Sequence, residues 1–286
     1  MKTRIWELEM RDYSAKNGLK SRFYALLAAP LLVMLSSISA AAEGDFVPRT
    51  ADQKPDFNGI WQAIGSAHWN IEPHAADFSP LVELGAIGAI PAGLGIVEGG
   101  SIPYTSEARA KQQENRADWL ALDPVVKCYM PGVPRATYLP FPFQIIQSPD
   151  HVVMAYEFAS ASRIVYMDRP DFEAPIFSWM GHSRGHFEGD SLVIDVTDQV
   201  PDTWLDRAGN HHSDALRVTE RYTHVGPNTL MYEATLEDPN VYTQAWTLKF
   251  PLYRRLDENM QILEFKCVEF TEELIYGHLR KGANAE

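Results

Sequence analysis

From Phe143 onward the chain is a succession of short segments rich in Val, Ile, Tyr, Thr and Phe. Several alternate apolar with polar residues, and turn-forming clusters separate them. Strands are expected at 151–158, 162–167, 191–197, 215–225, 229–237, 241–250 and 261–270. The turns between them include Ser148-Pro149-Asp150, Glu188-Gly189-Asp190 and Gly226-Pro227-Asn228. Strands at this spacing predict a mainly β fold: an antiparallel meander closed into a barrel, since closure removes exposed sheet edges. One surface helix is expected over 105–122, capped by Thr105 or Ser106 and stopped at Asp123-Pro124. Residues 75–103, dominated by Gly, Ala, Ile, Leu and Pro without period, read as a mobile cover over an apolar cavity, with a buried irregular insert as the alternative.

The N-terminus carries basic Lys20 and Arg22, an apolar run over 23–35, and Ala40 and Ala42 ahead of Glu43. That layout predicts a secretory signal over 1–42, with Met10 as an alternative start. The apolar run is too short for a bilayer, so no membrane span is expected after cleavage; an uncleaved anchor is the competing reading. Residues 43–286 then form a single domain, periplasmic or secreted. The formal net charge of −13 becomes still more negative once that basic leader is removed, which disfavours nucleic-acid partners and anionic membrane surfaces. The two cysteines, Cys128 and Cys267, both lie in the exported part and are expected to pair. A thiol-dependent catalytic site is the alternative.

Gly59-Ile60-Trp61 resembles the G-x-W opening of lipocalin-like (calycin-type) barrels, where the tryptophan packs across one barrel end. Several longer pieces carry a second similarity. They are Pro55-Asp56-Phe57-Asn58-Gly59-Ile60-Trp61, Cys128-Tyr129-Met130-Pro131-Gly132-Val133-Pro134-Arg135, Trp179-Met180-Gly181, His212-Ser213-Asp214-Ala215-Leu216 and Glu220-Arg221-Tyr222, with Pro142-Phe143-Gln144-Ile145 and Glu188-Gly189-Asp190. Through them the chain resembles, over nearly all of its exported part, a large group of secreted bacterial proteins without an assigned function. The resemblance implies export and one β-rich domain, and no catalytic assignment. In that group the position of His182 is more often acidic and that of Phe187 more often Trp.

The densest concentration of reactive side chains runs from Trp179 to Tyr222. His212 beside Asp214, followed by Glu220 and Arg221, suggests an acid/base group with an orienting carboxylate. Arg184 or Arg221 would stabilise an anion, and Tyr222 or Tyr166 an oxyanion. A structural ion-pair network is the competing reading of the same charges. His182, His186 and His211 are weak metal candidates: glycines interrupt the i, i+4 pair, no H-E-x-x-H signature occurs, and no metal is expected. Gly181-His182-Ser183-Arg184-Gly185 fits a nucleophile elbow by letter but lacks the strand–turn–helix context. Arg135, after a stiff Pro131–Pro134 turn, either binds a ligand carboxylate or pins the loop to Asp150 or another acid. Trp69, Tyr166, Trp179 and Trp204 are the expected aromatic lining of a pocket.

The expectation is therefore an exported, cofactor-independent enzyme that transfers protons on a hydrophobic small molecule, as a lyase, dehydratase or hydratase, isomerase or cyclase. The alternative is a non-catalytic periplasmic binding or carrier protein for an apolar ligand. Neither reading fixes an oligomeric state. Convergence of the His and acids on one cavity would favour the enzyme; their dispersal would favour the carrier.

Overall fold

Alternation of side chains along each strand decides which residues enter the core. In β3 (His151–Tyr156) Val152, Met154 and Tyr156 are buried. In β4 (Ser162–Met167) the buried set is Arg163, Val165 and Met167, and in β8 (Thr229–Glu237) it is Leu230, Tyr232, Ala234 and Leu236. The period of two places each set on one face of its strand. The computed structural model describes residues 46–79, 85–86, 88–265 and 267, all in one compact unit that begins at Phe46. The expected signal segment lies outside the described residues.

Among the described residues nine strands form a closed barrel in sequence order. The others are β1 (Gly59–Ala63), β2 (Phe143–Gln147), β5 (His182–Glu188), β6 (Ser191–Thr197), β7 (Arg217–Gly226) and β9 (Trp246–Arg254). The mainly β, lipocalin-like barrel is what the chain forms. The meander needs one correction: β4 and β5 pair in parallel, while every other neighbour pair is antiparallel. Parity requires this, because an odd number of strands cannot alternate in direction all the way round a ring. Residues 168–181 carry the chain back along the outside between β4 and β5.

These directions gather the connections 64–142, 157–161, 198–216 and 238–245 at one end of the barrel. The tight turns 148–150, 189–190 and 227–228 lie at the other. That second end is closed by Trp61, fully buried, with its Nε1 donating to Phe57 O at 3.0 Å and the Arg254 guanidinium 4.5 Å over its ring. Gly59, at φ +144°, leaves room for that arginine, since a Cβ there would meet Arg254 Nη1 at 2.5 Å.

The expected helix is two: α1 (Ser106–Ala117) and α2 (Trp119–Leu122), broken at Asp118. Thr105 caps α1 by accepting from Ala108 N at 3.2 Å. The strand expected at 241–250 begins at Trp246, and 261–265 is not a strand; most of the remaining expected strand to 270 lies outside the described residues. Cys128 and Cys267 are bonded, with Cα atoms 5.7 Å apart.

Side chains fill the barrel: Trp61, Met154, Leu192, Ile194, Tyr222, Tyr232 and Leu248 are all at 0 % exposure. Within 75–103, Val97 and Ile102 belong to the core, while Phe78 and Leu94 stand 88 % and 96 % exposed. The described residues of the segment are held by bridges His74↔Gly93 and Asp77↔Ile90, and Val97 bridges to Leu248 of β9.

Candidate functional site

The connections gathered at the open end build a groove of about 610 Å³. One wall is α1, whose buried Gln112 and Asn115 donate to Ala208 O and Gly209 O, the latter at 3.2 Å. Gly209 (φ +81°) permits that approach, because a Cβ would lie 2.6 Å from Asn115 Cβ. A second wall is the 3-10 turn Pro124–Lys127 and Tyr129 after it. Asp123 caps this turn and receives both guanidinium nitrogens of Arg135 at 2.8 and 2.6 Å. Burial works against the Arg135 charge, yet Asp123 beside it leaves the guanidinium pKa raised. Arg135, in α3 (Arg135–Tyr138), is thus buried and pinned to an acid, which is Asp123 and not Asp150.

The loop 198–212 supplies the floor. Asp206 accepts from Ile71 N (2.8 Å), Asn210 Nδ2 (2.6 Å) and Asn210 N (3.2 Å), tying the start of the long insert to this loop. Its complete burial raises its pKa to about 6 against those bonds. Trp204 packs with Trp119, Leu120 and Val126, and Trp69 packs against that cluster rather than into the groove. Trp179 ends the outer crossover. Ser178 N donates to Asp198 O (2.9 Å), Val200 N donates to Ser178 O (3.0 Å), and the Trp179 ring stacks on Tyr129 with centroids 4.6 Å apart. Trp179, Trp204, His211 and His212 all line the groove.

His212 is only 3 % exposed, and both ring nitrogens are engaged. Nδ1 lies 2.7 Å from Ser213 O, which can only accept, so Nδ1 carries the hydrogen. Nε2 then accepts from Thr203 Oγ1 at 2.6 Å, with Gln199 Nε2 at 3.2 Å. Burial lowers the His212 pKa, which favours this neutral tautomer. Asp214 is not its partner: that carboxylate is exposed and lines a separate polar pocket of about 360 Å³ with Arg184, Glu173, Asp198 and Arg217. Asp238 is the carboxylate that holds Ser213, accepting from Ser213 N at 2.6 Å and Ser213 Oγ at 2.8 Å.

The other expected groups disperse. His182, Arg184 and His186 sit on the outer face of β5, a strand where a loop was expected; His182 Nε2 meets Phe172 O at 2.8 Å and His186 pairs with Glu188. Tyr166 packs outside the barrel with Phe172 and His182. Arg221 bonds Glu188 at 2.5 Å on the outer wall. His211 stacks on Tyr104 at the groove. Among the described residues no three His, Cys, Asp or Glu side chains assemble as metal ligands.

Tyr222 and Glu220 face the filled interior. Glu220 receives Arg163 Nη1 at 2.6 Å, Arg163 Nη2 at 2.9 Å, Tyr232 Oη at 2.8 Å and Tyr222 Oη at 3.1 Å. Burial raises the pKa of both tyrosines, so they remain hydrogen-bond donors. Sequence reading missed Arg163, because Ile164 and Tyr166 make the opposite face of β4 look equally apolar. It also missed Lys111, Lys127, Tyr129 and Asp202 of the groove, which carry no local motif and meet only through the fold. No protein-family model, curated protein or solved structure matches the chain. Among the described residues no helix is long and apolar enough to cross a membrane.

Proposed function

We propose that the protein is an exported binding protein that holds a small molecule with a planar apolar body in the groove between α1, the Pro124–Tyr129 wall and the 198–212 loop. The observation that carries this reading is the partly exposed Trp179 ring, backed by Tyr129 and pinned through Ser178, at the edge of a ligand-sized groove. An exposed ring already held in place loses little freedom when it stacks on a ligand. Asp214 and Arg184 share the separate polar pocket, Arg221 lies on the outer wall and Tyr222 in the interior, and this dispersal away from His212 favours binding over acid/base turnover.

The proton-transfer reading keeps one observation in its favour. The Thr203 hydroxyl lies 2.6 Å from His212 Nε2, with a backbone carbonyl on Nδ1, an arrangement that polarises a hydroxyl. Thr203 is 1 % exposed and does not line the groove, so this reading ranks second.

The test is mass spectrometry of small molecules extracted from the purified protein and from Trp179→Ala. The binding reading expects an aromatic or fused-ring compound from the parent and its loss from the variant, with the melting temperature kept. Compounds retained equally by both would overturn the placement. Conversion of an extracted compound, lost in His212→Ala at unchanged melting temperature, would put the enzyme reading first.

A further inference from the structure

We infer that the ligand of this groove carries an anionic group beside its aromatic body, and that Lys127 is the residue that reads the anion. The inference rests on the binding reading and adds a charge and a residue to it.

The chain has a formal net charge of −13, so a local surplus of positive charge is unusual on its surface. Four lysines are among the described residues. Lys54 stands 5.4 Å from the centre of the Phe187 ring, and Lys249 pairs with Glu233. The other two, Lys111 and Lys127, both line the groove. Lys111 has Glu114 at 3.6 Å in an exposed pair of little strength. Lys127 has no ion-pair partner among the described residues. It is the last residue of the Pro124–Lys127 turn, and Tyr129, two residues on, backs the Trp179 ring. The cation is therefore placed by the same short wall that places the aromatic platform.

The opposing charge in the groove is Asp202, which is exposed on the loop between Pro201 and Thr203. The two histidines add no charge of either sign: burial lowers the pKa of both His211 and His212, which favours the neutral rings. A cationic ligand is held best by several carboxylates or by an aromatic cage whose walls meet at angles, since one ring face contributes only about 0.5–1 kcal/mol at an exposed site. Trp179 and Tyr129 are stacked at 12°, which offers one flat face and no cage. Two ammonium groups on the walls would repel such a ligand. A flat ring on Trp179 with a carboxylate or sulfonate toward Lys127 satisfies the apolar face and the unpaired ammonium together.

Three probes of equal ring size separate the possibilities: 2-naphthoate, 2-naphthylmethanol and 2-naphthylmethylamine, titrated by tryptophan fluorescence and calorimetry at low salt. The expected result is that 2-naphthoate binds about tenfold or more tightly than the alcohol, and the amine more weakly than either. Lys127→Met should remove the preference for the acid and leave the affinity for the alcohol unchanged. Lys127→Arg should keep the preference, and raised salt should erode it. Equal binding of acid and alcohol would overturn the anion while leaving the groove reading intact. A preference that survives Lys127→Met would overturn the assignment to Lys127. If none of the three binds, the inference fails; the binding reading falls with it only if no compound is extracted from the protein either.

Discussion

The Arg163–Glu220 pair shows how a single position can be decisive and still be hidden in the sequence. Glu220 was visible as part of a charged cluster, but its neighbour Arg221 points to the opposite side of β7, as the period of two demands. Its true partner is 57 residues away. Taking both charges out of water is costly, and removing one strands the other. Arg163→Met or Glu220→Gln should therefore lower stability by about 3–5 kcal/mol, read by denaturant unfolding. The paired change Arg163→Met with Glu220→Leu should cost less than the two single changes added together, because no buried charge is left unpaired. Additive losses would mean that the tyrosine hydroxyls, not the pairing, hold this region. The pinning of Arg135 to an acid was legible because the rigid turn before it left few directions for the guanidinium. The pairing of His212 with Asp214 was not, because two residues apart on an irregular loop implies no shared direction.

At the scale of elements, most strands were legible wherever alternation and turn residues agreed, as at 162–167, 191–197 and 229–237. The strand β5 was not among those expected: Gly181, Gly185 and Gly189 argued against a helix, but glycine is no strand signal either. In fact Gly185 is an inward position of the strand, packed under Val165 and Met167. The long insert was recognised as irregular and apolar, but composition could not say which of its apolar residues turn inward. Burial now makes that distinction testable. Ile102→Ala, in the core cluster, should cost roughly 2–5 kcal/mol, whereas Leu94→Ala should change the melting temperature by little. A comparable loss at both positions, measured by thermal unfolding, would contradict the division of this segment into a buried base and an exposed excursion. The groove itself had no signature in any one element, since its walls come from a helix, a 3-10 turn, a crossover and a loop.

Across the whole molecule, burial shifts several titrations, and they oppose one another. Burial lowers the pKa of His68 to about 4, and lowers those of His211, His212 and His224. A histidine depressed by folding takes up its proton more readily when unfolded, so acid below the unfolded value near 6.5 favours unfolding. Asp206 acts the other way: its folded pKa of about 6 lies above the unfolded value, so it favours the folded state as the pH falls through that window. Four histidines outweigh one carboxyl. Stability should therefore drop from pH 7.5 to pH 5, with His68 alone accounting for at most about 2 kcal/mol, or roughly 4–8 °C. Differential scanning calorimetry at the two pH values, repeated on His68→Gln, checks this; an unchanged pH dependence in the variant would reassign the effect.

The ring of strands is built almost entirely from neighbours in sequence, and one seam is not: β1 meets β9 at Trp61↔Arg254, Gln62↔Tyr253 and Ala63↔Leu252. Joining those ends closes nearly the whole chain into a loop, and the entropic cost of such a step grows with the length closed. Pairings of this kind form late and slowly. The Cys128–Cys267 bond spans 139 positions and anchors the tail beyond β9 to the insert that follows β1, so it brings the two sides of the seam within a much shorter stretch of chain. A chain refolded with this bond intact therefore starts with the two sides of the seam held closer than in the reduced chain, and should zip the last seam faster.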